Sequence, residues 1–416
     1  MSDAFENYDV VVAGAGIIGL AIAYQVARRS QLRVLVLEKG TAVGEGSTGA
    51  SSSICRTRYS SDDMVRLARD GVEAYRQWAD FTGIAKPRAA LIPDGVLWLT
   101  GQDGKWAERE HQRLGKLNIR TRVLDDVELA ERYPALNPCT LCPDLETGEP
   151  HECRGGSRHL LETDGGHVDP VGAASDLVDA CRREGVEIRF GTPVSAVHKT
   201  GGRVSGVGLG DGSRVHTPLL INATGPWAPF LYESVGLPLH WNLAPVRIQV
   251  IYRERPDEVV GHIPVTVDMA GGIYFRTQNR GQQLVVGSVL EDDEREVVAC
   301  PDNFQTEADE EFEQIKLHLL HHRLPALPYR GQVRGFCGLY TVNRDDVHPV
   351  VGPTPVDGFW VANGFSGHGF KLAPAIGSLV AQQITGVRAS YDTDVSPDFV
   401  AYERQPIEVN TKSVLA

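Results

Sequence analysis

Between Val10 and Ala27 the chain reads VVVAGAGIIGLAIAYQVA, apolar at almost every position and interrupted chiefly by glycines. A short solid apolar run, a glycine-rich break and a longer apolar run predict a buried parallel strand, a tight turn and a buried helix reaching about Arg29. The next apolar run, RVLVLE, predicts a second buried strand ending at Glu38. Together the first two runs are nearly long enough to cross a bilayer. The glycines fall where strand should give way to helix, however, and the residues ahead, MSDAFENYD, are acidic where a secretory signal carries basic residues. We therefore expect neither a membrane span nor a targeting segment.

Further along, alternation replaces solid runs. PVRIQVIYRE, PVTVDMAGGIYFRT and QQLVVGSVL alternate apolar and polar positions between glycine or asparagine breaks and predict strands of a mostly antiparallel sheet. The stretch from Val186 alternates like a β-meander and ends in a strand at Ala223, Thr224 and Gly225. Helical spacing appears in VGAASDLVDACRREG, in APAIGSLVAQQITG and in TEADEEFEQIKLHLLHHRL, the last read as a surface helix. His318, His321 and His322 gather at its C-terminal end, where positive charge complements the helix dipole; a metal role is the other reading.

With 416 residues the chain is long enough for two domains. The formal charge of −13 argues against nucleic acid or an anionic membrane surface as the main partner. Seven cysteines form no even framework, which reads as a reducing, cytoplasmic setting without disulfides.

Gly14, Gly16 and Gly19 form GxGxxG at the first turn. In a dinucleotide site such glycines serve a tight turn, backbone approach to a pyrophosphate and close helix–sheet packing, while the helix N-terminus favours phosphate. Glu38, at the end of the second strand, is placed to accept ribose hydroxyls and disfavours a 2′-phosphate, so NAD or FAD is expected rather than NADP. A return strand ending in Ala-Thr-Gly is a recurring feature of FAD domains.

Six segments recur in one order: GAGIIGLAIAYQVARR, GSTGASSSICRTRYS, GGHVDP, NATGPWAP, GLYTVNRDDVHPVVGPTP and GFSGHGFK. Together they resemble the D-amino-acid oxidase superfamily and, within it, the sarcosine oxidase-like branch, over almost the whole chain. The resemblance implies an α/β fold with a Rossmann-like FAD-binding domain (1–86, 157–235 and 334–390) interleaved with a substrate domain on a mostly antiparallel sheet (87–156 and 236–333). A C-terminal tail, 391–416, follows.

It also implies cofactor contacts from Gly14, Gly16, Ile17, Ile18 and Gly19, from Glu38 and Lys39, and from Ser47, Thr48, Ser53 and Ile54 in the Gly/Ser/Thr run. Val194, Ala223, Thr224 and Gly225 join them, as do Gly367, His368, Gly369, Phe370 and Lys371, whose glycines let the backbone reach the flavin ring. Arg56 and Lys371 fall on the family's carboxylate-binding cations, and an arginine fork with a lysine point charge suits a small carboxylate. Tyr274, Tyr340 and His368 are candidates to line the site, with packing as the alternative for the tyrosines, and Arg58 reads as structural.

The activity implied is oxidation of a small carboxylate-bearing amine, with O2 or a separate electron acceptor taking the electrons. A 2-hydroxy-acid oxidoreductase and a flavin-binding relay or assembly subunit are the alternatives. The departures matter too. Relatives that tether flavin do so through a cysteine where Gly338 stands here, with Cys337 displaced by one, or through an early histidine absent from STGASSS, so non-covalent FAD is expected. The position of an O2-activating lysine falls on Val285, which leaves oxidase and dehydrogenase both open. Finally, NPCTLCPDLETGEPHEC looks like an insertion. Its Cys139, Cys142, His151 and Cys153 read either as free thiols and an ordinary histidine or as four structural zinc ligands remote from catalysis; no metal is assigned from sequence.

Overall fold

The computed structural model describes residues 6–101, 103–149, 151–409 and 412–415. The first residues of the acidic start, Pro150 of the cysteine-bearing insertion, and residues 410, 411 and 416 of the expected tail lie outside the described residues.

The solid apolar runs become buried strands at Val10–Ala13 and Val34–Leu37, flanking a helix at Ile17–Arg28. Both strands sit inside a six-stranded sheet, where Val10–Ala13 pairs in parallel with Val34–Leu37 on one side and Leu220–Asn222 on the other. Phe359–Asn363 continues the parallel order beyond Leu220–Asn222, Glu187–Arg189 closes the opposite edge, and Val350–Pro353 adds an antiparallel edge strand. Parallel strands covered on both faces lose the polar alternation of a half-exposed sheet. A second helix, Gly369–Thr385, lies against Ile17–Arg28 so closely that a Cβ on Gly377 would stand 2.6 Å from the Ala21 carbonyl oxygen. Among the described residues no helix is long and apolar enough to cross a membrane.

The alternating segments form an eight-stranded sheet, in spatial order Val333–Asn343, Leu243–Glu254, Gln283–Ser288, Ile273–Gln278, Val265–Asp268, Val96–Leu99, Arg158–Glu162 and Thr121–Asp125. Its pairs are antiparallel except Val265–Asp268 beside Val96–Leu99. Two of these strands, Arg158–Glu162 and, after its first residue, Val333–Asn343, fall within segments expected in the nucleotide-binding domain. Their hydrogen bonds instead run to Thr121–Asp125 and Val96–Leu99, and along the whole of Leu243–Glu254.

One face of this sheet presents Phe275, Leu284 and Val286 to Phe312, Leu319 and Leu320 of the helix Glu310–Arg323, which is therefore half-buried rather than a free surface helix. The other face, with Tyr274, Val250 and Val285, joins the core that includes Ile17–Arg28 and Gly369–Thr385. The boundary between the two units thus runs past Tyr274. The last described residues fold back onto the body: Val400 and Tyr402 are buried, Arg404 pairs with buried Asp346, and Ser413 is buried.

Candidate active site

Gly14 has φ +105°, and a Cβ there would stand 2.5 Å from the Ala223 carbonyl oxygen. That left-handed backbone lets the chain leave the strand and enter the helix without a side chain filling the space. Gly14 N–H donates to the Leu37 carbonyl at 2.8 Å, and Ala223 N–H to the Ala13 carbonyl at 2.9 Å, so the three strand ends are laced together. Glu38 accepts from Ala15 N–H (2.8 Å) and Gly40 N–H (2.7 Å), which aims its carboxylate at the glycine turn. Ile17, Ile18 and Gly19 form the buried first turn of the helix, whose leading N–H groups have no intrahelical acceptor. Ile17 N–H donates to the Thr48 hydroxyl at 3.0 Å.

Around this turn, Lys39 pairs with Asp302 over the Trp227 ring at 3.7 Å. Thr224 donates its hydroxyl to Asn222 Oδ1 (2.7 Å), and Gly225, at φ +56°, opens the turn Gly225–Trp227. Val194 is half-buried at the start of its strand, two residues beyond Thr192, whose N–H donates to the Glu38 carbonyl.

The Gly/Ser/Thr run then crosses to the second unit. Ser47 donates its hydroxyl to the Leu339 carbonyl at 2.6 Å. Ser53, at φ +49°, donates to the Val168 carbonyl, and Ile54–Cys55 pairs with Gly166–His167. A narrow cleft remains between this run and the eight-stranded sheet, lined by Ser47, Ala50, Ser52, Tyr274, Gly338 and Tyr340. Gly338 keeps it open, since a Cβ there would stand 2.6 Å from that of Ala50. The Cys337 thiol donates to the Glu307 carbonyl at 3.1 Å, and Cys337 is not among the residues lining the cleft.

Beyond the cleft two cations lie buried together. Arg56 is 4 % exposed, with its guanidinium 4.1 Å from the Tyr59 ring centre, and donates to the carbonyls of Arg58 and Val414. Lys371 is 5 % exposed, in the first turn of Gly369–Thr385, and among the described residues reaches only the Gly367 carbonyl, at 3.5 Å. Among the described residues neither has an ion-pair partner, whereas Arg58 pairs with Glu110. Burial and then the Arg56 charge bring the Lys371 ammonium down to about 7. Burial likewise keeps His368 neutral, with a pKa well below the ordinary range, and pushes Tyr59 up to about 12. Tyr274 and Tyr340 are both raised, mainly by burial.

Gly367, at φ +81°, lies against Tyr340, and a Cβ there would stand 2.5 Å from that ring. The structure thus brings Arg56, Lys371, His368, Gly367 and Tyr340 to one place, with Tyr274 on the cleft beside them. Gly369 and Phe370 belong to the helix start, and the Phe370 carbonyl accepts from Tyr75.

Several residues here carry no mark in the sequence. Glu162 is buried and accepts from Thr57 N–H (2.6 Å), Arg58 N–H (3.1 Å) and Trp98 Nε1 (2.8 Å), fastening the segment that holds Arg56. Arg276 donates Nε–H to the Ser52 carbonyl at 2.8 Å and lies cross-strand from buried Val285. Glu294 is 8 % exposed, its carboxyl raised to about 8 chiefly by burial. Within EDDERE it looks like one more exposed acid; only the turn Glu291–Glu294 turns it inward. Its Oε1 accepts from Val414 N–H at 3.2 Å, while the Val414 carbonyl accepts from Arg56 and from His368 Nε2–H at 3.1 Å. One amino-acid unit is thus gripped at its nitrogen by a carboxyl and at its carbonyl by a guanidinium and an imidazole.

A sequence model of the DAO family, described as FAD dependent oxidoreductase, matches residues 9–383. Monomeric sarcosine oxidase of Streptomyces avermitilis is 28% identical, over 92% of this chain and 95% of its own. FAD-dependent oxidoreductase domain-containing protein 1 of Xenopus laevis is 26% identical, over 91% and 79%. Among solved structures, L-proline dehydrogenase from P. horikoshii superposes with a TM-score of 0.79 at 22% identity, covering 94% of this chain and 96% of its own. Glycine oxidase from Geobacillus kaustophilus gives 0.77 at 21%, covering 96% and 99%. These superpositions match the fold, with a parallel nucleotide-type sheet set beside a mostly antiparallel one.

Proposed function

Since the chain belongs to the DAO family of FAD-dependent oxidoreductases, we propose that it oxidises the C–N bond of a small α-amino or N-alkylamino acid to an imine, which water then hydrolyses. The observation that carries this reading is the grip on Val414. Its N–H stands in for a substrate amine at Glu294, and its carbonyl stands in for a carboxylate oxygen at Arg56 and His368. An amino acid has the same two-bond separation between nitrogen and carboxyl carbon. Lys371 adds a second buried positive charge with no carboxylate partner among the described residues, and such a charge is costly unless a ligand supplies the anion. Retention of both cations counts against a pure electron relay.

The glycine turn fits an FAD: Gly14 takes a left-handed backbone pressed against the Ala223 carbonyl, the helix start offers N–H groups with no intrahelical acceptor, and Glu38 stands at the strand end. FAD, when bound, accepts the two electrons and the hydrogen that leave the substrate carbon. Everything else falls to this chain. Arg56 and Lys371 bind and orient the carboxylate, and Tyr59 and Trp98 wall the guanidinium in so that it cannot swing away. Glu294, whose Oε2 has no partner among the described residues, is the group placed to take a proton from the amine, because a neutral amine is the form that gives up the hydride. With Gly338 in the cleft and Cys337 not lining it, we infer a non-covalent cofactor.

Anaerobic addition of amino, N-methylamino and 2-hydroxy acids to the yellow protein tests the proposal. Bleaching of the flavin band by an amine class is the expected result, and bleaching by 2-hydroxy acids alone would replace it with alcohol oxidation. The rate of recolouring in air separates oxidase from dehydrogenase.

A pH dependence follows from the same groups. Below about pH 7 Lys371 is charged and Glu294 neutral; as pH rises through about 7 and then about 8 the site loses one positive charge and gains one negative. Both changes weaken anion binding. The dissociation constant of a simple carboxylate such as benzoate should be flat at acid pH and rise about fivefold per step above it. Lys371→Met should remove the lower step and Glu294→Gln the upper, as read by titrating the flavin spectrum.

A further inference from the structure

The insertion after the strand Thr121–Asp125 and its following helix crosses residues 138–156 without a strand or helix among its described residues. Loops of that length inside a compact domain need something besides a core to hold them. Here the chain brings Cys139, His151, Cys153 and His322 together, with one ligand atom from each lying within 4.8 Å of every other. Cys139 Sγ and His151 Nε2 are 3.3 Å apart, close to the edge of a tetrahedron built on metal–sulfur and metal–nitrogen bonds of about 2.3 and 2.1 Å. The sequence alone pointed to Cys142 as the fourth member; it is exposed and outside the group, and His322, at the last turn of Glu310–Arg323, takes that place.

The surroundings are built for the purpose. His322 Nε2 is buried with no hydrogen-bond partner among the described residues, and its ring is hydrogen-bonded to the backbone of Leu141. Asn137 Nδ2 donates to Cys153 Sγ at 3.3 Å, and Leu141 N–H to Cys139 Sγ at 3.5 Å, as donors do around thiolate ligands. Arg323, the residue after His322, donates to the Asn137 carbonyl at 3.0 Å and pairs with buried Asp268, so the two halves of the group share one rigid anchor.

We propose that Cys139, His151, Cys153 and His322 bind one zinc ion. Two thiolates and two neutral imidazoles leave the site uncharged, with both thiol protons released to solvent. Four protein ligands close the coordination sphere, so the ion is structural. It staples the loop to the helix that covers the outer face of the substrate-domain sheet, and it takes no part in the oxidation.

Elemental analysis of protein expressed with added zinc and purified without chelator should give about one zinc per chain, independent of flavin content. Replacing zinc by cobalt should produce tetrahedral thiolate bands in the red, where oxidised flavin does not absorb. Cys139→Ser, Cys153→Ser and His322→Ala should each lose the metal, whereas Cys142→Ser should keep it. If a variant fails to fold, the cobalt spectrum of the unaltered chain still decides between four-coordinate thiolate binding and none. Wild-type protein with no zinc and no cobalt band, a Cys139–Cys153 disulfide found by mass spectrometry, or metal lost in Cys142→Ser but kept in His322→Ala would each overturn the assignment.

Discussion

Arg56→Ala is expected to raise the KM for the carboxylate substrate on the order of 100-fold while leaving the flavin content unchanged. A truncated partner in a buried, charge-assisted contact costs roughly 2–5 kcal/mol, and about 2.7 kcal/mol is a factor of 100. The residues that hold the glycine turn, Glu38 and Thr48 among them, make none of their contacts through Arg56, so the visible spectrum per protein should not change. Lys371→Met should cost less, about fivefold at most, because a point charge that is half-titrated near neutrality contributes less than a permanent guanidinium. The two variants should also be coupled. Arg56 depresses Lys371, so in Arg56→Ala the lysine stays charged to higher pH and the lower step of the pH profile moves upward. Arg56→Lys should recover only part of the loss, since an ammonium cannot lie flat against Tyr59 and donate in a fork. Steady-state kinetics with flavin quantified in the same samples checks all three, and an unchanged KM in both single variants would remove the pair from the substrate site.

How much of this was legible in the chain follows from what each feature depends on. The parallel sheet and its first helix depend on solid apolar runs and on glycines that no side chain can replace, such as Gly14 against Ala223, and those are local properties of the sequence. The antiparallel strands are legible by alternation, but their partners are not. Nothing in Arg158–Glu162 or Val333–Asn343 states which sheet will take them, because pairing is settled by distant strands such as Leu243–Glu254. Arg56 and Lys371 stand out through their flanking motifs. Glu294, Glu162 and Arg276 do not, because a buried charge and a surface charge are the same letter, and only the turn Glu291–Glu294 and the sheet register bring these three inward. The fourth member of the cysteine–histidine group was missed for the same reason: His322 is remote in sequence from Cys139 and adjacent only after the helix Glu310–Arg323 has docked.

Shortening the chain to residue 408 is expected to tighten the binding of simple carboxylates and to lower the substrate KM, both on the order of tenfold. Arg56 donates to the Val414 carbonyl and Glu294 accepts from Val414 N–H, so a substrate that uses these groups must first displace residues 412–415. A site open only about one-tenth of the time shows an affinity reduced by that fraction, and removing the competitor restores it. The cut leaves the fold's own anchors in place, because Tyr402, the Arg404–Asp346 pair and the Ile407 N–H donated to Asp346 all precede it. Melting temperature should therefore move little while the binding constants move a great deal, and kcat should hold or rise. Weaker carboxylate binding in the shortened chain would mean that Val414 helps to close the loaded site rather than competing for it. In that case the contacts of Val414 with Arg56, His368 and Glu294 would describe a lid resting on the substrate's binding groups, and the substrate would have to meet the same groups from the cleft side, beside Tyr274 and Tyr340.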